Sequence, residues 1–195
     1  LLTMLLKRAL DVVVAIVGML ALLPLVLLLS VLIKVDSAGP VFYRQMRVGL
    51  RGRPYMIWKF RSMRQDAEQS GARWASSEDP RVSRVGRWIR KWRLDELPQL
   101  INVLKGEMSL VGPRPERPVF VQELRNTIPY YDLRHTVRPG ITGWAQTRFR
   151  YGASKEDSHV KLQYDLFYVK NLSLALDFRI VVHTGKVMFM GEGAR

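Results

Sequence analysis

The stretch from Ala9 to Ile33 constrains the fold most: of its 25 residues only Asp11 is charged. That length suffices to span the hydrocarbon core of a bilayer and exceeds the apolar core of a signal peptide. Two features complicate a simple span. Pro24 falls inside it, in Leu22-Leu23-Pro24-Leu25, where a proline deletes a backbone hydrogen bond and crowds the preceding turn, so that a helix bends or breaks. The flanks are also basic on both sides, Lys7 and Arg8 before and Lys34, Arg44, Arg47, Arg51 and Arg53 after. Positive flanks favour the cytoplasmic side, and a crossing helix cannot keep both there. A bent helix that dips into one leaflet and returns meets both conditions. A proline-kinked span is the alternative that charge alone leaves open.

The whole chain, 195 residues, carries 31 Lys and Arg against 17 Asp and Glu, a formal net charge of +14. Such a balance calls for anionic partners: lipid, phosphorylated substrate or nucleic acid. The absence of cysteine excludes a disulfide framework and a thiolate metal site. His135, His159 and His183 are too dispersed to form a zinc motif in sequence. Residues 81–93 interleave basic and aromatic side chains, as single-strand binders do. No nucleic-acid-binding motif accompanies them, and the apolar N-terminal stretch points to a membrane. The charge is therefore assigned to anionic membrane lipid and a phosphorylated substrate, with no nucleic acid.

Val41–Gln45 and Tyr55–Met63 read as two strands joined by a basic, glycine-containing turn, a small β-hairpin. Alternation places Met56, Trp58 and Phe60 on one face and Ile57, Lys59 and Arg61 on the other; a lone strand lysine is ordinarily solvated. Gln65–Pro80 reads as a polar loop. Arg81–Arg93 reads as a helix with Val82, Val85, Trp88, Ile89 and Trp92 on one face, suited equally to the lipid headgroup layer and to core packing.

The next stretch, residues 90–116, reads RKWRLDELPQLINVLKGEMSLVGPRPE. Asp95 and Glu96 are expected at a helix N-terminus, where Pro98 is tolerated. Leu97, Leu100, Ile101 and Leu104 then form one apolar face, and Gly106 is a stop. Two carboxylates among Arg90, Lys91, Arg93 and Arg114 suit a phosphate and a divalent metal; they are equally the acidic first turn that many helices carry against their dipole. Further on, Pro139-Gly140 and Thr142-Gly143 are turn signals, and Trp144 either supports a base or packs. Val160–Leu172 and Leu176–Met190 read as two helices, the second with Ile180, Val181, Thr184, Val187 and Met188 on its apolar face.

Six ordered motifs carry a resemblance: Lys7-Arg8…Asp11; Lys59-Phe60-Arg61-Ser62-Met63; Leu94-Asp95-Glu96-Leu97; Asn102-Val103-Leu104-Lys105-Gly106; Ser109-Leu110-Val111-Gly112-Pro113-Arg114-Pro115; and residues 137–146, VRPGITGWAQ. Over almost its whole length the chain resembles the bacterial sugar transferases, the monotopic phosphoglycosyl transferases. Residues 148–154, RFRYGAS, and the C-terminal Gly-Ala-Arg resemble the exopolysaccharide branch, whose members often carry an extra N-terminal region, so the chain is expected to be a catalytic part of a longer protein.

The resemblance implies an α+β, mostly helical fold: a re-entrant helix-break-helix anchor over 1–36, broken at Pro24, and a cytosolic catalytic domain over 37–195. It implies transfer of a sugar-1-phosphate from a UDP-sugar, glucose or galactose, to undecaprenyl phosphate with release of UMP, at the cytoplasmic face of the bacterial inner membrane. Asp95 matches the nucleophile that forms an aspartyl-phosphosugar intermediate, and Glu96 its partner at a Mg2+ site. Lys59, Arg90, Arg114 and Arg150 match phosphate-binding positions, with Arg148 a substitute for the last. Asp177 matches an acid near the metal, Asp165 a structural acid. A homodimer is implied as possible. The family often has serine where this chain has Leu23. A non-catalytic membrane scaffold of the same fold is the alternative function.

Overall fold

The computed structural model describes residues 2–67, 71, 79–149 and 155–190. The apolar stretch forms two helices, α1 (Leu2–Ala21) and α2 (Leu23–Asp36), bent by 61° to each other. Pro24 lies in the first turn of α2. Its missing N–H falls where the bend opens, while Leu22 N–H still donates to Gly18 O and Val26 N–H to Leu22 O, both at 2.9 Å. Neither helix alone is long and apolar enough to cross a membrane; only taken together does the bent pair have the length and composition of a span.

The hairpin follows as β1 (Phe42–Val48) and β2 (Pro54–Phe60), antiparallel with Phe42 opposite Phe60 and Val48 opposite Pro54. After α3 (Arg84–Lys91) comes a 3-10 turn over Leu94–Gln99, then α4 (Leu100–Lys105), closed by Gly106 at φ +82°. That left-handed closure is one glycine adopts without strain. The strands β3 (Ser109–Val111) and β4 (Gly140–Thr142) pair in parallel. Between them lie α5 (Pro118–Thr127) and a 3-10 turn over Tyr131–Thr136; α6 (Trp144–Arg148), α7 (Lys155–Lys170) and α8 (Leu174–Met190) complete the order. The architecture is mostly helical with one small hairpin, as expected; the parallel strand pair was not.

One face each of α1 and α2 packs inward. Ala15 joins Tyr55, Ile57, Val103 and Met108, and Leu29 and Ile33 join Phe60 and Ile89. The polar residues of α1 fasten it. Lys7 Nζ bonds Val111 O at 3.0 Å and Asp177 Oδ2 at 2.6 Å, and Asp11 Oδ1 accepts from Leu110 N–H at 3.0 Å. Arg8 caps the last carbonyls of α4, Val103 O and Leu104 O. The outward faces stay bare: among the described residues, more than half of the exposed large apolar side chains lie between Leu2 and Val35.

Several expectations need correction. Phe60 is buried while Met56 is exposed, although alternation put them together, because α2 and α3 cover the hairpin at its Phe60 end. Arg61 leaves the strand and donates to Ser37 O and Ala38 O beyond the end of α2. Of the α3 face, Ile89 is fully buried whereas Trp88 and Trp92 are exposed. In α8, Ile180 is buried but Val181 is exposed.

The β3–β4 approach is too close for side chains. A Cβ on Gly140 would meet Gly112 N at 2.1 Å and Thr142 O at 2.4 Å, both backbone. Gly185, inside α8, has nothing within 4 Å of such a Cβ. Gly140→Ala is therefore expected to destabilise by roughly 1–3 kcal/mol, and Gly185→Ala to stabilise by about 0.5–1 kcal/mol through helix propensity. Thermal melts of the two variants in one detergent check the opposite signs.

Candidate active site

Asp95 and Glu96 do not open an α-helix. Arg93 takes the left-handed conformation (φ 52°), and the chain then runs through the 3-10 turn with Pro98 inside it. Three residues per turn separate successive side chains by about 120°, so neighbouring carboxylates face different ways around one point. Both are buried, at 8% and 6% exposure.

Glu96 is held by two cations. Lys59 Nζ donates to its Oε1 at 3.0 Å and Arg114 Nη2 to the same oxygen at 2.7 Å. Burial alone would raise the Glu96 carboxyl, but Arg114 and Lys59 together outweigh it and hold it well below the usual carboxylate range. Lys59 is lowered, first by burial, with Glu96 opposing. The solvated-lysine reading of Lys59 is thus overturned. What turns Lys59 inward is the edge of β2: Asn102, fully buried in α4, accepts from Trp58 N–H at 3.0 Å and donates to Met56 O at 2.8 Å. These two bonds fix the register of β2 against α4 and set Lys59 opposite Glu96.

Asp95 differs from its neighbour. Among the described residues its carboxylate has no hydrogen-bond or ion-pair partner within bonding distance. Its pKa is raised, chiefly by burial and secondly by Glu96, with Lys59, Arg90 and Arg114 opposing. Arg90 contributes its field from α3, and among the described residues its buried Nη1 has no hydrogen-bond partner. The cluster therefore offers one unengaged carboxylate, one unengaged guanidinium nitrogen, and a neutralised carboxylate between two cations.

The remaining expected site residues divide. Asp177 is not joined to this cluster among the described residues; its oxygens take Lys7 and, at 2.7 Å, the Tyr168 hydroxyl. Asp165 pairs with Arg134 at 2.8 Å in a buried bridge, in keeping with a structural acid. Arg148 lies 4.4 Å over the Trp144 ring, whose neighbour Phe167 stacks at 5.8 Å. Arg150 lies outside the described residues. The sequence alone does not single out Lys7, Asn102 or Arg134 as site-building. Lys7 and Asn102 sit in the quoted motifs, and only their tertiary partners reveal their work.

Magnesium accepts one or two carboxylates with the rest of its shell from substrate phosphates and water. Asp95 and Glu96 fit that donor set: both are hard oxygen ligands, and Glu96 Oε2 keeps no hydrogen bond among the described residues. Those residues gather no group of three or more His, Asp or Glu able to enclose an ion alone, so a metal here would be shared with substrate.

Residues 2–191 match the family model described as bacterial sugar transferase. The chain belongs to the bacterial sugar transferase family. A relative from Aeromonas hydrophila, a UDP-N-acetylgalactosamine-undecaprenyl-phosphate N-acetylgalactosaminephosphotransferase, is 50% identical over 97% of this chain and 45% of its own length. An undecaprenyl-phosphate glucose phosphotransferase of Komagataeibacter xylinus is 46% identical over 94% of this chain and 36% of its own. A UDP-glucose:undecaprenyl-phosphate glucose-1-phosphate transferase of Escherichia coli K12 is 42% identical over 97% and 41%. The chain thus spans less than half the length of these sugar transferases.

Proposed function

We propose that this chain carries the catalytic part of a membrane-bound enzyme that transfers a sugar-1-phosphate from a UDP-sugar to undecaprenyl phosphate, releasing UMP. The observation that carries the reading is the unengaged buried carboxylate of Asp95 beside the Lys59–Glu96–Arg114 group. A scaffold has no need to bury a carboxylate without partners. The names of the similar proteins agree on the acceptor and differ in the sugar, so the donor sugar is left to a panel.

In the first step an Asp95 oxygen bonds the sugar-bearing phosphorus, and the bond from that phosphorus to the oxygen bridging to the nucleotide breaks; UMP leaves with that oxygen. In the second, a phosphate oxygen of undecaprenyl phosphate bonds the same phosphorus and the Asp95 carboxylate is restored. Splitting the transfer lets one site meet a soluble donor and a membrane acceptor in turn. Arg90 and Arg114 are proposed to bind the diphosphate with planar forks, with Lys59 adding a point charge and Arg150 a further phosphate ligand. Glu96 is the residue proposed to hold Mg2+, which when bound would neutralise phosphate charge. Asp177 is proposed to serve Lys7 instead of metal.

Residues 1–36 act as the anchor and 37–195 as the catalytic part, on the cytoplasmic face of the bacterial inner membrane, in the first membrane step of exopolysaccharide or glycoconjugate assembly. The bare apolar exteriors of α1 and α2 lie in lipid, and the exposed Trp88 and Trp92 with the basic side chains of α3 meet anionic headgroups. The chain has no cysteine of its own, so Thr3→Cys and Ser37→Cys report topology cleanly. Both are expected to react with an impermeant maleimide only in inverted inner-membrane vesicles. Labelling of the two from opposite sides would establish a crossing.

The reaction is tested in nanodiscs with magnesium, undecaprenyl phosphate, and UDP-glucose, UDP-galactose or UDP-N-acetylgalactosamine. Lipid-dependent UMP release with at least one donor is expected. No release with any donor returns the chain to the scaffold reading.

A further inference from the structure

Arg134 is a buried cation that the proposed reaction does not use. From the 3-10 turn Tyr131–Thr136 its Nε and Nη2 reach Asp165 Oδ2 of α7 at 3.0 and 2.8 Å. Its Nη1 donates to the Tyr131 hydroxyl at 2.6 Å, and its Nη2 also donates to the backbone carbonyl of Arg114 at 2.8 Å. Of these partners only Arg114 belongs to the candidate active site.

The bond to Arg114 is one of a series. Pro113 O accepts from Gly140 N–H at 3.0 Å, and Glu116 O from Val48 N–H at 2.9 Å. Pro115 O accepts from Arg47 Nη1 at 3.0 Å. Four successive carbonyls, 113 to 116, are thus tied to three parts of the fold: the start of β4, the turn that carries Arg134, and the end of β1. Prolines at 113 and 115 fix φ at the two flanking positions as well. The segment is a rigid mount, and the side chain it presents to Glu96 is that of Arg114.

We infer that Arg134, anchored by Asp165, is a positioning residue that fixes the Arg114 backbone so that the Arg114 guanidinium meets the donor diphosphate. The inference rests on the transferase reading above. The physical need is clear: arginine is long and rotamer-rich, and a phosphate fork tolerates little misplacement. A displacement of about 1 Å in a binding group can cost on the order of a hundredfold. Burying a carboxylate is unfavourable unless it is paired, and burial raises Asp165 to about 6 even against Arg134. An ion pair kept at that cost, with one guanidinium nitrogen spent on a site backbone carbonyl, fits an anchor.

The test is a double-mutant cycle in nanodiscs, with UDP-glucose and UDP-N-acetylgalactosamine as donors and UMP release as readout. Arg134→Lys keeps the buried charge opposite Asp165 but loses the fork. It is expected to raise KM for the donor about ten- to a hundredfold, with a smaller fall in kcat. Because Arg134 acts through Arg114, the pair Arg114→Ala with Arg134→Lys should be no worse than Arg114→Ala alone. Tyr131→Phe removes another bond of the same guanidinium but none to Arg114; it is expected to lower Tm while KM moves less than about twofold. If Arg134→Lys does not accumulate folded, Asp165→Asn, which keeps Arg134 and loosens its anchor, enters the same cycle. Independent, multiplying losses, or a fall in Tm with KM unmoved, would overturn the inference alone. A wild type inactive with both donors and with UDP-galactose overturns the transferase reading, and the positioning role with it.

Discussion

Asp95→Asn is expected to reduce phosphosugar transfer by roughly 10⁴-fold or more, while the protein melts at the same or a higher temperature. The two effects have one origin. Burial raises the Asp95 pKa, so ionising this carboxyl costs more in the folded protein than in the unfolded chain, and folding loses stability as pH rises through that pKa. Asparagine removes the desolvated charge together with the nucleophile. A variant that is inactive and also unfolded would point to a structural carboxylate instead. In the wild type the rate of phosphosugar transfer should fall on acidification at a pH above that at which an exposed aspartate titrates, since the protonated acid does not attack phosphorus.

Asp177→Ala is expected to destabilise the protein by about 3–5 kcal/mol. Its partner Lys7 is 8% exposed and lies 2.6 Å from the carboxylate; removing the acid leaves that buried ammonium, among the described residues, with only the Val111 carbonyl. For a chain of this size such a loss lowers Tm by roughly 10 °C or more. Replacing both partners, Lys7→Met with Asp177→Leu, should recover most of it, because a buried pair and an apolar pair of similar volume are often nearly equivalent. The milder Asp177→Asn separates the structural role from a metal role. With Lys7 and Tyr168 as its partners, the concentration of magnesium for half-maximal rate should not move; a tenfold rise would return Asp177 to the metal.

The bend at Pro24 was legible because proline acts through its own backbone, whatever surrounds it. The start of the Asp95 turn was not. The apolar spacing from Leu97 to Leu104 suggested one helix, yet Arg93 in the left-handed region and Pro98 give a 3-10 turn first, and α4 begins only at Leu100. Lys59 was placed on the correct strand face with Ile57, but its exposure depends on what covers that face. The cover is set by Asn102 stitching the edge of β2, a contact 44 residues away in sequence. The β3–β4 pair has no sequence signature, because three-residue strands carry no readable alternation. Arg134 lacked a local signal for the same kind of reason: its meaning lies in the Arg114 carbonyl and in Asp165, and neither is near it in the chain.

The central claim is that Asp95 becomes covalently loaded with the phosphosugar, and intact mass tests it most directly. Wild-type protein in nanodiscs is mixed with magnesium and each UDP-sugar in the absence of acceptor lipid. The account predicts a mass increase of one sugar-phosphate on the wild type with the true donor, its disappearance when undecaprenyl phosphate is added, and no adduct on Asp95→Asn. Lipid-dependent turnover without an adduct, or an adduct that persists on Asp95→Asn, would contradict it.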